Sequence, residues 1–99
     1  MSEHATISAD IIASYAADAA REVAGIRGLV ESTLSRRGGV RVTDEEGRIA
    51  VELHLAVDWG VSIQDVGNDV QRHVAAYLVR MADVEPATVA VVIEEIADP

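Results

Sequence analysis

The sequence predicts an α+β domain in two layers, with two helices packed on one face of a three-stranded sheet. Two stretches carry apolar residues at helical spacing, and a stretch between them alternates apolar and polar residues with a period of two. The predicted order is αββαβ, in which helix stripes and strand faces share one core. With 99 residues, 49% of them hydrophobic, the chain is expected to form a single domain over residues 1–99, with an ordered core at about 7–96.

The first predicted helix extends from about Ala9 to Val23. Ser8 stands at the N-cap position, and Asp10 lies in the first turn, where a carboxylate interacts favourably with the helix dipole. Gly25 is placed to end this helix. Residues 28–39 follow no clear pattern, so one further helical turn and a loop are both open for this segment.

Two strands follow in the prediction. Strand one runs from about Val40 to Thr43, and the next four residues, Asp44 to Gly47, supply a hairpin turn with glycine where positive φ is needed. Strand two runs from Ile49 to Val57, where five apolar residues alternate with a mixed set. One face of strand two is therefore predicted to be buried.

The second predicted helix runs from Ile63 to about Met81. Ser62 precedes its first turn, and Asp65 lies within that turn. The pair resembles a capping box, with Asp in place of the usual Glu. Gly67 lies within the apolar stripe, where glycine lowers helix propensity by about 1 kcal/mol relative to alanine. We expect a close backbone approach to helix one or to the sheet to compensate for this loss.

Strand three, from Val89 to Ile93, follows Pro86 and completes the predicted sheet. If strands two and three run parallel, helix two forms a right-handed crossover between them. Strand one can then lie between the other two, but the sequence leaves the strand order open.

The charge of the chain bears on its partners. Acidic residues outnumber basic ones by 17 to 8, which gives a formal net charge of −9. This field repels phosphate backbones and anionic lipids, so neither nucleic acid binding nor direct membrane insertion is expected. The chain has no cysteine, which excludes disulfides and thiolate metal sites. Its first residues lack the pattern of a secretory signal, and no apolar run approaches the ~20 residues that span a bilayer. A cytoplasmic location is expected.

A combination of motifs is more specific than any of them alone. A helix opens at residues 7–12 and closes at Val23-Ala24-Gly25-Ile26, and strand two leads through Trp59-Gly60-Val61-Ser62-Ile63 to Val70-Gln71. In this order and spacing the chain resembles, from Ile7 to Ile96, the alkaline shock protein family, the envelope stress response proteins of Gram-positive bacteria. The resemblance implies a cytoplasmic protein without enzymatic chemistry. It also implies self-association and attachment to the inner face of the cell membrane through a membrane-anchored protein partner.

The histidines are the main candidates for chemistry. His54 and Glu52 project from the same face of strand two, a pair that suits proton transfer or metal binding if further groups join it. A zinc site needs at least three protein ligands, and no recognised spacing places His4 or His73 beside this pair. His73 follows Asp69 by four positions and is expected to form a weak surface pair with it. The sequence therefore predicts no catalytic residue, no metal site and no cofactor, and an enzyme is not expected.

The residues from Gly25 to Gly28 suggest an alternative function. Gly25-Ile26-Arg27-Gly28 matches the GxxG loop of KH domains, which lies between two helices and contacts the RNA backbone. Within this tetrapeptide Arg27 alone offers a phosphate contact. A KH-like module that binds RNA or a ligand is therefore the alternative to an adaptor.

The sheet face away from the helices is the predicted protein interface, because it mixes small apolar groups with both charges. Arg41 and Glu52 are placed to pair across it. Trp59 is predicted to cap the end of the core, with an exposed binding anchor as the alternative. The Arg36-Arg37 pair is expected in a solvated loop, with contact to a partner or an anionic surface as the alternative. The candidate interface consists of Arg41, Glu52, His54, Ala56, Trp59, Ala90 and Val92.

Overall fold

The computed structural model describes residues 8–31 and 38–98 and has the element order αβββαβ. The predicted α+β class is confirmed, but the sheet in the described residues has four strands where the sequence predicts three. Arg36 and Arg37 lie outside the described residues. The elements are helix α1 (Ala9–Arg21), strands β1 (Ile26–Leu29), β2 (Val40–Glu45) and β3 (Arg48–Asp58), helix α2 (Ile63–Ala82) and strand β4 (Thr88–Ala97).

Both helices begin at the predicted N-caps. The Oγ of Ser8 accepts a hydrogen bond from the backbone N–H of Ile11 at 3.2 Å, and the Oγ of Ser62 accepts one from Asp65 at the same distance. Each contact satisfies a backbone donor that the first helical turn leaves unpaired. The two helix starts could therefore be predicted from local sequence.

Strand β3 lies at the centre of the sheet. β2 pairs antiparallel with its N-terminal half and β1 pairs antiparallel with its C-terminal part. β4 runs parallel along the other edge, with Val92 opposite His54. The arrangement with strand one between the other two is therefore wrong. β2, which forms the hairpin with β3, and β1 together fill one edge of β3. β4 therefore occupies the other edge.

The segment that follows Gly25 contains a strand that the sequence does not predict. Of residues 28–39, for which a helical turn and a loop are both open, Gly28 and Leu29 belong to this strand, and residues 32–37 lie outside the described residues. The strand is β1, and its Gly28 pairs with Ala56 of β3. A KH loop lies between two helices, so Gly25 to Gly28 do not form the loop on which the KH-like alternative depends. Arg27 is also engaged, since its Nε donates to the Oδ1 of Asp58 at 2.9 Å.

The hydrophobic core lies between the two helices and one face of the sheet, as predicted. Side chains of both helices and the odd-numbered residues of β3 belong to one cluster of buried residues. Alanine dominates the buried face of α1, and small side chains allow this helix to lie close to its neighbours. The fully buried large side chains are Ile12, Val40, Val51, Leu53, Leu55, Val57, Val70, Val74 and Leu78.

The surroundings of Gly67 do not match the expectation. A Cβ placed on Gly67 would meet no heavy atom within 4 Å, apart from the two adjacent residues and the backbone of its own helix. No close backbone approach compensates for this glycine, so that prediction is wrong. Gly67 carries the conformational cost of a helical glycine without a packing reason.

We therefore expect Gly67→Ala to raise the free energy of unfolding by about 0.5–1 kcal/mol, measured by urea denaturation, because alanine restricts the unfolded chain and fits the open space. Gly25→Ala is the matched control and should lower the free energy of unfolding. Gly25 has φ +95°, and a Cβ there would lie 3.0 Å from Cγ2 of Val66. Equal effects from the two substitutions would contradict this assignment.

Candidate functional site

The face of the sheet opposite the core has no helix packed on it in the described residues. We call it the free sheet face, and strand alternation assigns its side chains. Arg41 and Ala90 are exposed, and Val92 is 36% exposed, so the periphery of this face is accessible. Its residues in β2, β3 and β4 are Arg41, Thr43, Ala50, Glu52, His54, Ala56, Thr88, Ala90, Val92 and Glu94.

The centre of the free sheet face is less accessible than its periphery. His54 is 5% exposed and Ala56 is 6% exposed, although strand alternation directs both side chains away from the core. A depression of about 340 Å³ opens over the first half of β3, between β2 and β4, and is lined by Arg41, Glu52 and Ala90 among others. His54 does not line this depression. The free sheet face is therefore closed around His54 and Ala56 and open over the first half of β3.

His54 lies between two carboxylates, and we call Glu52, His54 and Glu94 the carboxylate–histidine cluster. Its Nδ1 lies 2.5 Å from Oε2 of Glu94, and its Nε2 lies 2.6 Å from Oε2 of Glu52. Ionised carboxylates accept hydrogen bonds and do not donate them, so both ring nitrogens must carry protons. The geometry therefore favours the positively charged imidazolium, held by two charge-assisted hydrogen bonds.

The neighbours of His54 shift its protonation equilibrium. The hydrogen bond to Glu94 is the largest cause that holds the pKa of His54 above its ordinary value of 6.5. Burial acts in the opposite direction because it disfavours the charged ring, and the hydrogen bond to Glu52 and the charge of that residue raise the pKa further. The histidine is therefore protonated over a wider pH range than a solvated one.

The carboxylate–histidine cluster is poorly arranged for a metal or for a general base. The two carboxylates approach opposite edges of the ring, so the three side chains do not converge on one point. Within residues 8–31 and 38–98, no group of three or more His, Cys, Asp or Glu side chains could hold a metal ion. With both ring nitrogens donating, His54 has no free lone pair that could accept a proton.

Two sequence predictions about charged pairs need correction. Arg41 and Glu52 are opposite each other in the register of β2 and β3, but the Glu52 carboxylate contacts His54. The expected pair of His73 with Asp69 is wrong, because the Nε2 of His73 lies 2.7 Å from Oε1 of Glu22. This contact joins α2 to the C-cap of α1, a long-range pairing that helical spacing does not reveal.

Trp59 does not cap the core as predicted. Its side chain is 63% exposed, and Ile63 and Ile96 beside it are 43% and 47% exposed. These three residues line a depression of about 310 Å³ together with Val57, Asp58, Gly60 and Val61. We call Trp59, Ile63 and Ile96 the tryptophan patch. It is formed where the C-terminal end of β3, the start of α2 and the end of β4 meet.

Sequence reasoning misses two members of these sites. Glu94 completes the carboxylate–histidine cluster, and Ile96 completes the tryptophan patch, but both belong to β4 and reach their partners through parallel pairing with β3. The available signal is the polar position of Glu94 within an alternating strand. That signal becomes informative only when the neighbour and register of β4 are known.

In the described part of the chain, neither helix combines the length and the apolar character needed to cross a bilayer.

Comparisons with known proteins agree with the fold described above. No match is found among curated proteins. Among solved structures, an alanine variant of MamM-CTD has a TM-score of 0.60 and 17% identity, covering 89% of this chain and 98% of that chain. A manganese form of another MamM CTD variant has a TM-score of 0.59 and 15% identity, covering 89% and 99%. At these identities the likeness concerns the fold alone.

The family comparison covers almost the whole chain. The alkaline shock protein 23 family, described as having a cell envelope-related function, matches residues 1–97. This match confirms the resemblance to alkaline shock proteins drawn from the motifs at Val23 to Ile26, Trp59 to Ile63 and Val70-Gln71. The chain therefore belongs to the alkaline shock protein 23 family, whose function is related to the cell envelope.

Proposed function

We propose that this protein is a non-catalytic scaffold or adaptor domain that associates with itself and docks on a membrane-anchored protein at the inner face of the cell membrane. The tryptophan patch is the observation that carries the proposal. Three large apolar side chains, from the turn after β3, from α2 and from β4, lie together and exposed at one end of the sheet. Clusters of this kind in soluble domains mark interaction sites more often than scattered apolar residues do.

The chemistry of the tryptophan patch suits a protein partner. Tryptophan is enriched among the residues that contribute most to binding energy, because its ring offers a large area at a low cost in conformational entropy. Trp59 is the single tryptophan of the chain and lies beside a depression that could receive an apolar side chain. Asp58 on the rim is paired with Arg27, so the depression offers mainly its apolar lining to a partner.

The charge of the chain supports attachment through a protein rather than directly to lipid. A net charge of −9 is repelled by the anionic lipids of the cytoplasmic leaflet. Membrane proteins, in contrast, carry an excess of Lys and Arg next to the cytoplasmic ends of their spans. Such a basic segment would attract this acidic domain and bring it to the membrane.

The free sheet face provides a second surface, which we assign to contacts with protein partners. Arg41, Ala90 and Val92 are accessible there, and Glu52 is half-buried. His54 and Ala56 are buried, so they would lie beneath the contact and contribute little of the surface that a partner covers. Together with Trp59, these residues are the interface set that the sequence predicts.

The test is a membrane co-sedimentation assay with the full chain and membranes from the native cell. We expect Trp59→Ser to reduce the membrane-bound fraction about ten-fold or more, since loss of a central tryptophan contact typically costs about 2 kcal/mol or more. Val79→Ser is the matched control, because Val79 is 48% exposed on α2 and does not line the tryptophan patch. Its binding should match the wild type.

Two further outcomes decide the nature of the partner. Protease treatment of the membranes should abolish binding if the partner is a protein. Binding that survives this treatment, or that appears equally with protein-free anionic vesicles, would contradict docking on a membrane-anchored protein. Fluorescence of Trp59 gives a direct readout, because burial of the indole in a partner shifts its emission to shorter wavelength.

A further inference from the structure

Strand β4 lies at an edge of the sheet. In residues 8–31 and 38–98, it pairs with β3 on one side, and no strand pairs with its other side. An open edge is a template for another strand, and proteins usually protect it with lysine, proline, a bulge or short length. β4 has ten residues, and its register with β3 shifts after Ile93. Before this irregularity, Val89 to Ile93 is an uninterrupted apolar stretch without charge or proline. Its first half is therefore an unprotected edge.

The hydrogen bonds of β3 show which backbone groups of β4 face outward. The N–H of His54 donates to Gly39 at 2.8 Å, and its carbonyl accepts from Val30 at 2.9 Å. Even-numbered residues of β3 thus direct their backbone groups toward β1 and β2, and odd-numbered residues direct theirs toward β4. In a parallel pair, a residue whose backbone groups point at the neighbouring strand bonds to the residues just before and just after the one opposite it. With Val91 opposite Leu53, Ala90 and Val92 bond to β3, and Val91 points outward.

An independent contact supports this assignment. The Nε2 of Gln71 on α2 donates to the carbonyl of Val89 at 3.0 Å. This carbonyl belongs to the outward-facing set, so a side chain from α2 satisfies the first outward acceptor of the edge. The outward groups of Val91 and Ile93 and the outward N–H of Val89 remain available to another strand, and the carbonyl of Val89 has a second lone pair that can accept from it.

We propose that a second copy of this chain pairs antiparallel with β4 and joins the two sheets into one, with the two-fold axis at Val91. This inference rests on the proposed function, because it gives the route of the proposed self-association. In this register Val91 faces its own copy, Val89 faces Ile93, and Ala90 faces Val92. The regular segment ends at Ile93, before the shift in register at Glu94, so no carboxylate lies opposite another within it. The stretch from Val89 to Ile93 is thus complementary to itself.

The absence of cysteine from the chain makes a single introduced thiol an unambiguous probe. Directly opposite residues in a hydrogen-bonded antiparallel pair have Cα atoms about 5.5 Å apart, which a disulfide can span. Val91→Cys should therefore give a disulfide-linked dimer in a glutathione redox buffer, detected by non-reducing electrophoresis and mass spectrometry. The substitution is small, and the outward N–H is kept.

Two control variants define the geometry. Glu95→Cys lies on the same strand, four positions from the axis, so the two thiols would be about 27 Å apart at about 3.4 Å per residue and should stay unlinked. Thr43→Cys lies on β2, on the free sheet face, and should also stay unlinked. If Thr43→Cys forms the dimer and Val91→Cys does not, the copies stack through their sheet faces and the edge pairing is overturned.

Sedimentation equilibrium of the unmodified chain separates the two proposals. We expect a dimer whose dissociation constant falls as salt rises, because screening reduces the repulsion between two copies that each carry a net charge of −9. A strict monomer at high concentration would overturn the proposed self-association itself. An oligomer that forms without a Val91→Cys link, or that salt dissociates, would overturn the edge pairing and leave self-association standing.

Discussion

Leu53→Ala should lower the free energy of unfolding by about 2–5 kcal/mol, as deletion of buried leucine side chains does in well-packed cores. Leu53 is fully buried in the middle of β3, where it packs in one cluster with residues of both helices. Domains of this size are stabilised by about 5–15 kcal/mol in total. A large part of the stability would therefore be lost, and urea denaturation followed by circular dichroism would show it as a lower midpoint.

The matched control for this variant is Ala90→Ser on the free sheet face. Ala90 is exposed, and substitutions at such positions usually change stability by less than about 0.5 kcal/mol. The pair of variants thus separates the face of the sheet that holds the fold together from the face that we assign to partners. Similar losses in the two variants at low protein concentration would show that the assignment of the two faces is wrong.

The parts of the fold that could be predicted from sequence are those set by neighbouring residues. The five apolar residues that alternate along β3 identify its buried face without knowledge of the other elements. Ser8 and Ser62 identify the helix starts, because capping involves residues three positions away. The hairpin turn is also local: Glu46 and Gly47 both adopt positive φ, and Asp44 accepts a hydrogen bond from Gly47.

The parts that could not be predicted depend on contacts distant in sequence. β1 has four residues, contains Gly28 and carries an irregularity between Ile26 and Gly28, so no period of two is visible in it. It becomes a strand because β3 offers an unpaired edge beyond the end of β2. The strand order also depends on distant contacts, because β3 and β4 pair although a helix of 20 residues separates them in sequence.

The candidate site shows the same division between local and distant information. Glu52 and His54 are two residues apart, so strand alternation places them on one face. Glu94 reaches His54 across 40 residues of sequence, and only the parallel register brings them together. For Trp59 the sequence predicts a place at the end of the core. Its position after the end of β3, in a turn, instead leaves the ring beyond the last layer of core residues.

The free energy of unfolding should fall as the pH rises above about 6.5, with His54 as a main cause. The folded protein holds the pKa of His54 above 6.5, chiefly through the hydrogen bond to Glu94. In this pH range the folded state binds more protons than the unfolded state, so unfolding releases protons. Proton release becomes more favourable as pH rises, and the free energy of unfolding falls. The stabilisation by His54 is complete below the ordinary pKa of 6.5 and disappears as pH passes the folded pKa. Denaturation midpoints measured across this range would show the decline.

Four variants assign this pH dependence to the carboxylate–histidine cluster. His54→Gln should remove the His54 contribution to the slope, whereas His73→Gln, which changes the contact with Glu22 on the other side of the molecule, should retain it. NMR titration of the His54 ring should give a larger fall in pKa for Glu94→Gln than for Glu52→Gln, because the Glu94 hydrogen bond is the largest cause of the shift. A pKa at or below 6.5 in the wild type would contradict the imidazolium assignment. An unchanged pKa in Glu94→Gln would show that the 2.5 Å contact does not control the charge of the ring.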